Sequence, residues 1–319
     1  MAFRVYLSLR GGSILILWVA LELNMVRVLP LLRFESGTYG GEVRIKYFLV
    51  QAWGSALFLF GFLLGQSTDL GRYLVILSLI MKLGAAPLHL WFISVLRLRS
   101  LEVLVLLSTV QKVIPLLLLQ QTGARPSLIT LSVWARALVA GWGAFNHTGL
   151  RLVLAYSSIF TVAWCIRRFI TASWLWLAYL GVYAVSLLVF VSACSTKSIT
   201  RLSQLYLITS VATGAVLLFL TLASIGGLPP LARFWVKMAV LETLLNRGEM
   251  FTSCLLLRGS VWILYLYIRV AYFSRTHGSR GSPLLVNRGA DRLAPQLSMV
   301  LGLPLFVLVI LVLLRGVIT

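Results

Sequence analysis

Acidic residues are scarce in this 319-residue chain, which has eight of them against 28 lysines and arginines and a formal net charge of +20. Such an excess can indicate nucleic-acid binding. Here, however, the basic residues are dispersed as short flanks of apolar runs and form no patch with interleaved aromatics. The pattern predicts no nucleic-acid partner. It indicates contact with lipid headgroups and control of membrane topology instead.

Charged residues of either sign are rare, at 11% of the chain, whereas 60% of residues are hydrophobic. The mean hydropathy is +0.97. A soluble globular domain of this composition would lack the polar surface needed to cover its core. The composition therefore excludes a soluble protein and predicts an all-α polytopic membrane protein.

Cysteine and histidine occur three times each and are scattered. Cys165, Cys194 and Cys254 lack the spacing of a redox pair or a metal site, which excludes an iron–sulfur site or a disulfide framework within the chain. Three separate histidines do not supply the two axial pairs of a membrane dihaem cytochrome. The chain also has no Walker-type loop, no Gly-x-Gly-x-x-Gly fingerprint in a βα setting and no acidic metal cluster. We expect no cofactor and no metal in this chain.

Long apolar runs are abundant, and a helix needs roughly 20 apolar residues to cross the hydrocarbon core. Residues 3–10 resemble the remnant of a further, shortened helix, and the polar segment 275–295 predicts a linker before the C-terminal helix within 296–319. The predicted spans are 12–33, 43–66, 72–97, 101–121, 126–145, 149–167, 174–195, 206–246 with a break, 250–274 and 296–316.

Two of these spans are interrupted by glycine and proline, at Lys82-Leu-Gly-Ala-Ala-Pro87 and at Gly226-Gly-Leu-Pro-Pro230. A broken helix inside a membrane is tolerated only within protein or beside water, because its backbone polar groups need partners. Paired broken helices in the two halves of a chain indicate a transporter's ion path. Two repeats of five helices fit residues 1–121, with a shortened first helix, and residues 126–274.

Lysine is present only five times, and Lys82, Lys112 and Lys237 lie inside apolar segments. A charge at bilayer depth costs a few kcal/mol or more, so it is rarely left there without a task or a partner. A buried lysine can release its proton, whereas arginine stays charged. Among the acids, Glu22 lies in the middle of a span, while Glu242 lies nearer a span end and fits a rim residue equally well.

A mid-membrane row of glutamate and lysine is suited to moving protons. A carboxylate near an ammonium favours both charged forms, and separating the two allows the lysine proton to leave along water. The alternative from the same residues is that each lysine reaches the interface along its aliphatic stem or closes a static ion pair.

Several segments, in this order and spacing, resemble those of one family. The segments are Trp18–Asn24 followed by Pro30, Lys46–Ala52, Lys82–Trp91, Gln111–Pro115, Asn146–Ser158 followed by Trp164, and Ser224–Lys237. Together they resemble subunit 2 of mitochondrial NADH:ubiquinone oxidoreductase (respiratory complex I), an antiporter-like membrane subunit.

The resemblance implies an antiporter-like fold of about 10–11 transmembrane helices in two inverted five-helix repeats. It implies that Glu22 and Lys82 form a charge pair, that Lys112 passes protons centrally and that Lys237 lies at the outlet half. His89 matches its motif and is expected to organise the broken helix rather than to carry protons. His147 stands where many members have glutamine, and Leu152 where lysine commonly follows arginine.

The implied function is proton translocation in the mitochondrial inner membrane as a multi-pass subunit of an NADH:ubiquinone reductase. NADH, FMN, iron–sulfur clusters and ubiquinone would be held by partner subunits, and lipids and other membrane and accessory subunits of complex I would surround the chain. Loop charge assigns no orientation in the membrane.

Two other functions fit the same residues. A stand-alone cation/proton antiporter shares the fold and the buried lysines, but a cation site should carry further buried acids, and only Glu22 is deep. A structural membrane scaffold would hold the three lysines in static ion pairs. Substitution of the lysines by methionine distinguishes a scaffold, which should assemble and work nearly unchanged.

Overall fold

The computed structural model describes most of the chain. The described residues are 14–32, 40–65, 68–97, 100–121, 126–145, 147, 149–168, 175–195, 199, 202–209, 212–229 and 231–278. The shortened helix predicted at 3–10 and the predicted C-terminal helix lie outside them. Of the predicted linker 275–295, the first four residues are helical, because the preceding helix continues to Gly278, and the remainder lies outside the described residues.

Helices account for the regular structure of the described residues, which contain no strand. The predicted all-α class is therefore confirmed. The helices are α1 (Ile14–Leu31), α2 (Gly40–Leu63), α3 (Asp69–Lys82), α4 (Leu90–Arg97), α5 (Leu101–Ser108), α6 (Val110–Gln121), α7 (Pro126–Phe145), α8 (Leu150–Arg168), α9 (Leu175–Ser195), a 3₁₀ turn (Leu202–Leu205), α10 (Tyr206–Thr209), α11 (Ala212–Gly226), α12 (Ala232–Leu245) and α13 (Met250–Gly278).

Membrane-spanning length is common among these helices. In the described part of the chain, six helical stretches are long and apolar enough to cross a bilayer. Large apolar side chains such as Trp142, which is 76% exposed, and Trp53, which is 65% exposed, lie on their outer surfaces. Exposed apolar surface of this extent fits contact with lipid or with other membrane helices.

Both predicted breaks are present. α3 ends at Lys82 and α4 begins at Leu90, and α11 ends at Gly226 before α12 begins at Ala232. The first residue after α11, Gly227, has a φ of +85°, a backbone conformation that glycine adopts without strain. The Trp91 indole donates a hydrogen bond of 3.1 Å to the carbonyl of Met81, so α4 supplies a partner for the end of α3.

The predicted span 101–121 is present, but its helix is interrupted at Thr109, between α5 and α6. The Thr109 hydroxyl and its backbone N–H both bond to the carbonyl of Val105, at 2.7 and 3.0 Å. A threonine that bonds back to the preceding turn commonly bends a helix. The interruption lies one turn before Lys112 and was not predicted from the apolar pattern.

α2 and α3 form a close helical hairpin. Its turn is fixed by Thr68, whose side chain caps α3 by accepting from the Gly71 N–H at 3.2 Å. A Cβ on Gly71 would lie 2.4 Å from the carbonyl oxygen of Gly65 and 2.8 Å from that of Gly61. The absence of a side chain at Gly71 therefore allows the two backbones to approach.

The helices belong to two compact units. The first comprises Met1–Val139 and Ser158–Ser173, and the second comprises Ala140–Ser157 and Trp174–Thr319. Glu22, Lys82 and Lys112 belong to the first unit, and Lys237 belongs to the second.

Candidate functional site

Lys82 is the last residue of α3, and its side chain lies inside the first unit. The residue is 7% exposed, and its Nζ has no hydrogen-bond partner among the described residues. Its stem runs beside α2, where a Cβ on Gly54 would lie 2.8 Å from the Lys82 Cγ. Gln51, one turn before Gly54, donates to the Lys82 backbone carbonyl at 3.4 Å. The glycine thus gives room for the lysine stem against α2.

Glu22, the predicted partner of Lys82, lies half-buried on α1. The two residues make no direct ion pair within 4.0 Å in the described structure, although the charge of Glu22 acts attractively on that of Lys82. Glu22 and Lys82 therefore interact through their charges and not through a direct ion pair. Such a pair can change its strength without breaking a hydrogen bond, because a Coulomb interaction falls off gradually with distance.

Lys112 lies on α6 and is 2% exposed. Its Nζ donates a hydrogen bond of 2.9 Å to the carbonyl of Ser158 on α8 and lies 4.9 Å from the centre of the Phe92 ring. A backbone carbonyl and an aromatic face are neutral partners for an ammonium group. Lys112 is therefore held in place without a carboxylate among these contacts.

A small cavity lies between Lys82 and Lys112. It provides about 10 Å³ for a water centre, which is close to the smallest space that holds one water molecule. Both lysines line it. Its other lining residues are Leu21, Asn24, Tyr47, Gln51, Leu83, Trp91, Phe92, Leu107, Gln111 and Pro115.

Hydrogen bonds among the polar lining residues join α1, α2 and α6. The Asn24 amide donates to the Gln111 carbonyl at 3.4 Å, and the Gln111 amide donates to the Asn24 carbonyl at 3.3 Å. The Tyr47 hydroxyl lies 3.5 Å from Gln111 Oε1. Pro115 explains the first bond: proline has no N–H, so the Gln111 carbonyl four residues earlier lacks its helical donor.

Sequence reasoning assigned no role to Tyr47, Gln51 or Gln111. Each of these residues is a polar side chain within a predicted apolar span, and that is the feature by which the sequence could have indicated it. The same holds for Arg136 on α7, which is 0% exposed and whose guanidinium nitrogens have no hydrogen-bond partner in the described residues. The charge of Arg136 acts repulsively on Lys112. A fixed cation thus lies beside a lysine that can lose its proton.

Lys237 lies on α12 in the second unit and is 7% exposed. Its Nζ donates a hydrogen bond of 2.7 Å to the Gly226 carbonyl at the end of α11. The last carbonyls of a helix lack helical donors and carry partial negative charge, so they suit an ammonium group. The helix end at the predicted break therefore supplies the carbonyl that binds the Lys237 ammonium.

Gly227→Ala is expected to displace the Lys237 ammonium. The alanine Cβ would lie 2.6 Å from Lys237 Nζ, and the positive φ adds strain of about 1 kcal/mol. Gly248→Ala is a matched control, because its φ is +74° and a Cβ there would meet nothing within 4 Å. We expect proton translocation to fall several-fold in the assembled Gly227→Ala complex and to stay near the parental rate with Gly248→Ala. Equal rates in the two variants would contradict the role of Gly227.

The secondary candidates lie at different places. Nδ1 of the half-buried His89 lies 3.1 Å from the Pro87 carbonyl, within the segment that separates α3 from α4. This contact fits the organising role expected for His89. The His147 ring stacks on that of Tyr156, with the ring centres 5.6 Å apart. Glu242 lies exposed on α12.

Comparison with known proteins gives a consistent result. Residues 65–262 match the family model described as NADH:quinone oxidoreductase/Mrp antiporter, TM. The protein named NADH-ubiquinone oxidoreductase chain 2 from Tetraodon nigroviridis is 35% identical over 274 residues, which cover 81% of this chain and 78% of the relative.

Two solved structures have a fold similar to that of this chain. Respiratory complex I from Thermus thermophilus with bound aureothin contains a chain of 23% identity that superposes with a TM-score of 0.77, covering 92% of this chain and 73% of the other. The Mrp complex from Dietzia sp. DQ12-45-1b contains one of 18% identity with a TM-score of 0.73, covering 84% and 57%. These likenesses confirm the predicted antiporter-like fold. The chain belongs to the NADH:quinone oxidoreductase/Mrp antiporter family and, within it, to NADH-ubiquinone oxidoreductase chain 2.

Proposed function

We propose that this chain is the subunit of NADH:ubiquinone oxidoreductase that moves protons along Glu22, Lys82, Lys112 and Lys237. The observation that carries the proposal is the burial of three lysines inside apolar helices, at most 7% exposed, with two of them lining one water-sized cavity. A buried ammonium is costly unless its proton can leave or its charge is balanced.

The cavity suggests how a proton passes between Lys82 and Lys112. A water molecule bound there can accept a proton from one amine while it donates another to the second. Asn24, Tyr47 and Gln111 supply donors and acceptors that orient the water. Glu22 attracts positive charge at the Lys82 end, whereas at the Lys112 end Cys165 and Arg136 act in opposite senses.

The role of Lys237 follows from the same chemistry in the second unit. Its ammonium donates to the Gly226 carbonyl, which can equally accept from a water molecule once the amine is neutral. We propose that the units correspond in function to the inverted repeats expected at 1–121 and 126–274, each with a lysine at a broken helix.

Other subunits of complex I are the partners, and the chain is a multi-pass protein of the mitochondrial inner membrane. We propose that NADH, FMN, iron–sulfur clusters and ubiquinone bind in those subunits and that this chain contributes no redox centre. Accessory subunits and lipids would cover the exposed apolar faces. The energy of the redox reaction would reach this chain as changes of charge and packing at its neighbours.

Lys237→Met tests the proposal. We expect the complex to assemble and its coupled proton translocation to fall by about 100-fold, because the group that carries the proton is gone. Proton uptake is measured alongside NADH oxidation in membranes that contain the variant complex. Lys46→Met is the matched control, since Lys46 lies half-exposed at the start of α2 in an ion pair with Glu42. It should leave both rates unchanged.

The outcome also separates the alternatives. Normal pumping by an assembled Lys237→Met complex would favour the structural scaffold. Proton movement that requires Na⁺ or K⁺ and continues without NADH would favour a stand-alone cation/proton antiporter.

A further inference from the structure

Two cations on α12 bind neighbouring carbonyls at the end of α11. Arg233 Nη1 donates to the carbonyl of Ile225, and Lys237 Nζ donates to that of Gly226. These are the last two residues of α11, so both side chains occupy the negative end of one helix dipole. Arg233 and Lys237 are four residues apart on α12, which places them on the same face.

Arg233 is fixed more tightly than a surface arginine. It is 3% exposed, and its Nη2 donates to the Tyr179 hydroxyl at 2.9 Å. Its guanidinium carbon lies 4.8 Å from the centre of the Tyr179 ring and 4.5 Å from that of Tyr183. Both tyrosines belong to α9. The planar guanidinium thus has a defined position and, unlike an amine, keeps its charge at all physiological pH values.

Lys237 is the member of the pair that can change its charge. The charge of Arg233 acts repulsively on it. Like charges one helical turn apart oppose each other, and the effect is larger in a buried site than in water. The shared helix end attracts both groups, but Arg233 occupies one of the two carbonyls permanently. Repulsion therefore applies only when Lys237 carries a proton.

The other ionisable groups near Lys237 lie on the helices that pack against α12. α9 contributes Tyr179, Tyr183 and the buried Cys194, whose thiol is neutral near pH 7, α13 contributes the buried Tyr267, and the described α11 contains no ionisable residue. Arg258, Tyr265 and Arg269 of α13 and Glu242 of α12 are exposed. Phenols are neutral near pH 7. Arg233 is thus the buried group on these helices that keeps a full charge beside Lys237.

We propose that Arg233 is a positioning residue whose fixed charge, on the same helix face and at the same helix end as Lys237, favours release of the proton that Lys237 carries. The inference rests on the proposed function, because it assigns a direction to the step at Lys237. It also explains why the two cations share one helix end: the arginine holds the break together and sets the charge state of its neighbour.

Arg233→Gln and Arg233→Lys test this role in the assembled complex. Proton translocation and NADH oxidation are measured between about pH 6 and pH 9. Arg233→Gln removes the repulsion but not the burial that also disfavours the Lys237 ammonium, so we expect it to pump more slowly at pH 7 and to recover at alkaline pH, with the profile shifted upward by about one unit. Arg233→Lys places an amine at the same position, which carries a charge over part of this pH range only, and should shift the profile less than Arg233→Gln does.

The inference would be overturned if Arg233→Gln lost proton translocation equally at every pH, with no shift of the pH profile. It would also be overturned if the pH profile shifted equally in Arg233→Gln and Arg233→Lys. Either result would show a structural role only. If Arg233→Gln does not assemble, Arg233→Met, which also removes the charge and fills irregular apolar space, takes its place and should shift the profile in the same direction. An unchanged profile in that variant would likewise overturn it. Lys237→Met is the reference: pumping that persists there contradicts the proposed function itself, whereas loss there with an unshifted Arg233→Gln contradicts only the role of Arg233.

Discussion

Lys112→Met is expected to stop proton transfer through the first unit while the complex still assembles. Methionine has a similar length and adapts to irregular cores, so it can fill the space beside Phe92. It supplies neither a donor to the Ser158 carbonyl nor a site for the proton that leaves the cavity shared with Lys82. We expect coupled translocation to fall by about 100-fold, measured as proton uptake during NADH oxidation.

Lys112→Arg distinguishes a lysine that transfers protons from one that only supplies a positive charge. Arginine keeps a cation at this position but does not release its proton at physiological pH. If Lys112 carries protons, the arginine variant should pump as poorly as the methionine variant. If Lys112 only completes a static charge arrangement, arginine should restore activity. Parental pumping by an assembled Lys112→Met complex would remove this lysine from the path.

Gly71→Val is expected to have the largest effect on assembly. The valine Cβ would lie 2.4 Å from the Gly65 carbonyl oxygen, and backbone atoms cannot move aside as a flexible side chain can. α2 and α3 would have to separate, at a cost of about 3 kcal/mol or more. That separation would also move Gly54 and Gln51 away from Lys82. We expect little assembled complex on native gels and reduced thermal stability of what remains.

Gly181→Val is the control for this substitution. Gly181 lies exposed within α9, where a Cβ would meet nothing within 4 Å. Both substitutions place a β-branched residue in a helix and carry the same small penalty in helix propensity. Normal assembly with Gly181→Val and loss with Gly71→Val would locate the effect in the α2–α3 contact. Similar assembly of the two variants would mean that the hairpin tolerates a wider spacing.

Much of the fold followed from local pattern. Apolar runs of membrane-spanning length predicted the helices, and the glycine and proline clusters predicted both breaks at the residues where α3 and α11 end. These features are readable because each depends on residues adjacent in the chain. The interruption at Thr109 was not predicted, since a threonine within an apolar run bends a helix only when its hydroxyl bonds to the preceding turn.

The candidate site was predictable in its residues but not in its contacts. Lys82, Lys112, Lys237 and Glu22 stand out because charge is rare inside apolar segments. The polar residues around the cavity did not stand out, because Tyr47 and Gln111 become part of one site only when α2 and α6 pack together. The coupling of Glu22 to Lys82 without an ion pair is likewise a matter of distance between helices.

The sequence by itself determined the class of the protein, its broken helices and the buried lysines, because composition and spacing along one chain carry that information. Only the tertiary structure decided that Lys82 and Lys112 border one water-sized cavity and that Arg233 shares a helix end with Lys237. The reason is physical. The free energy of a buried charge depends on which carbonyls, rings and charges other helices bring within a few ångströms of it, and no local pattern specifies those neighbours.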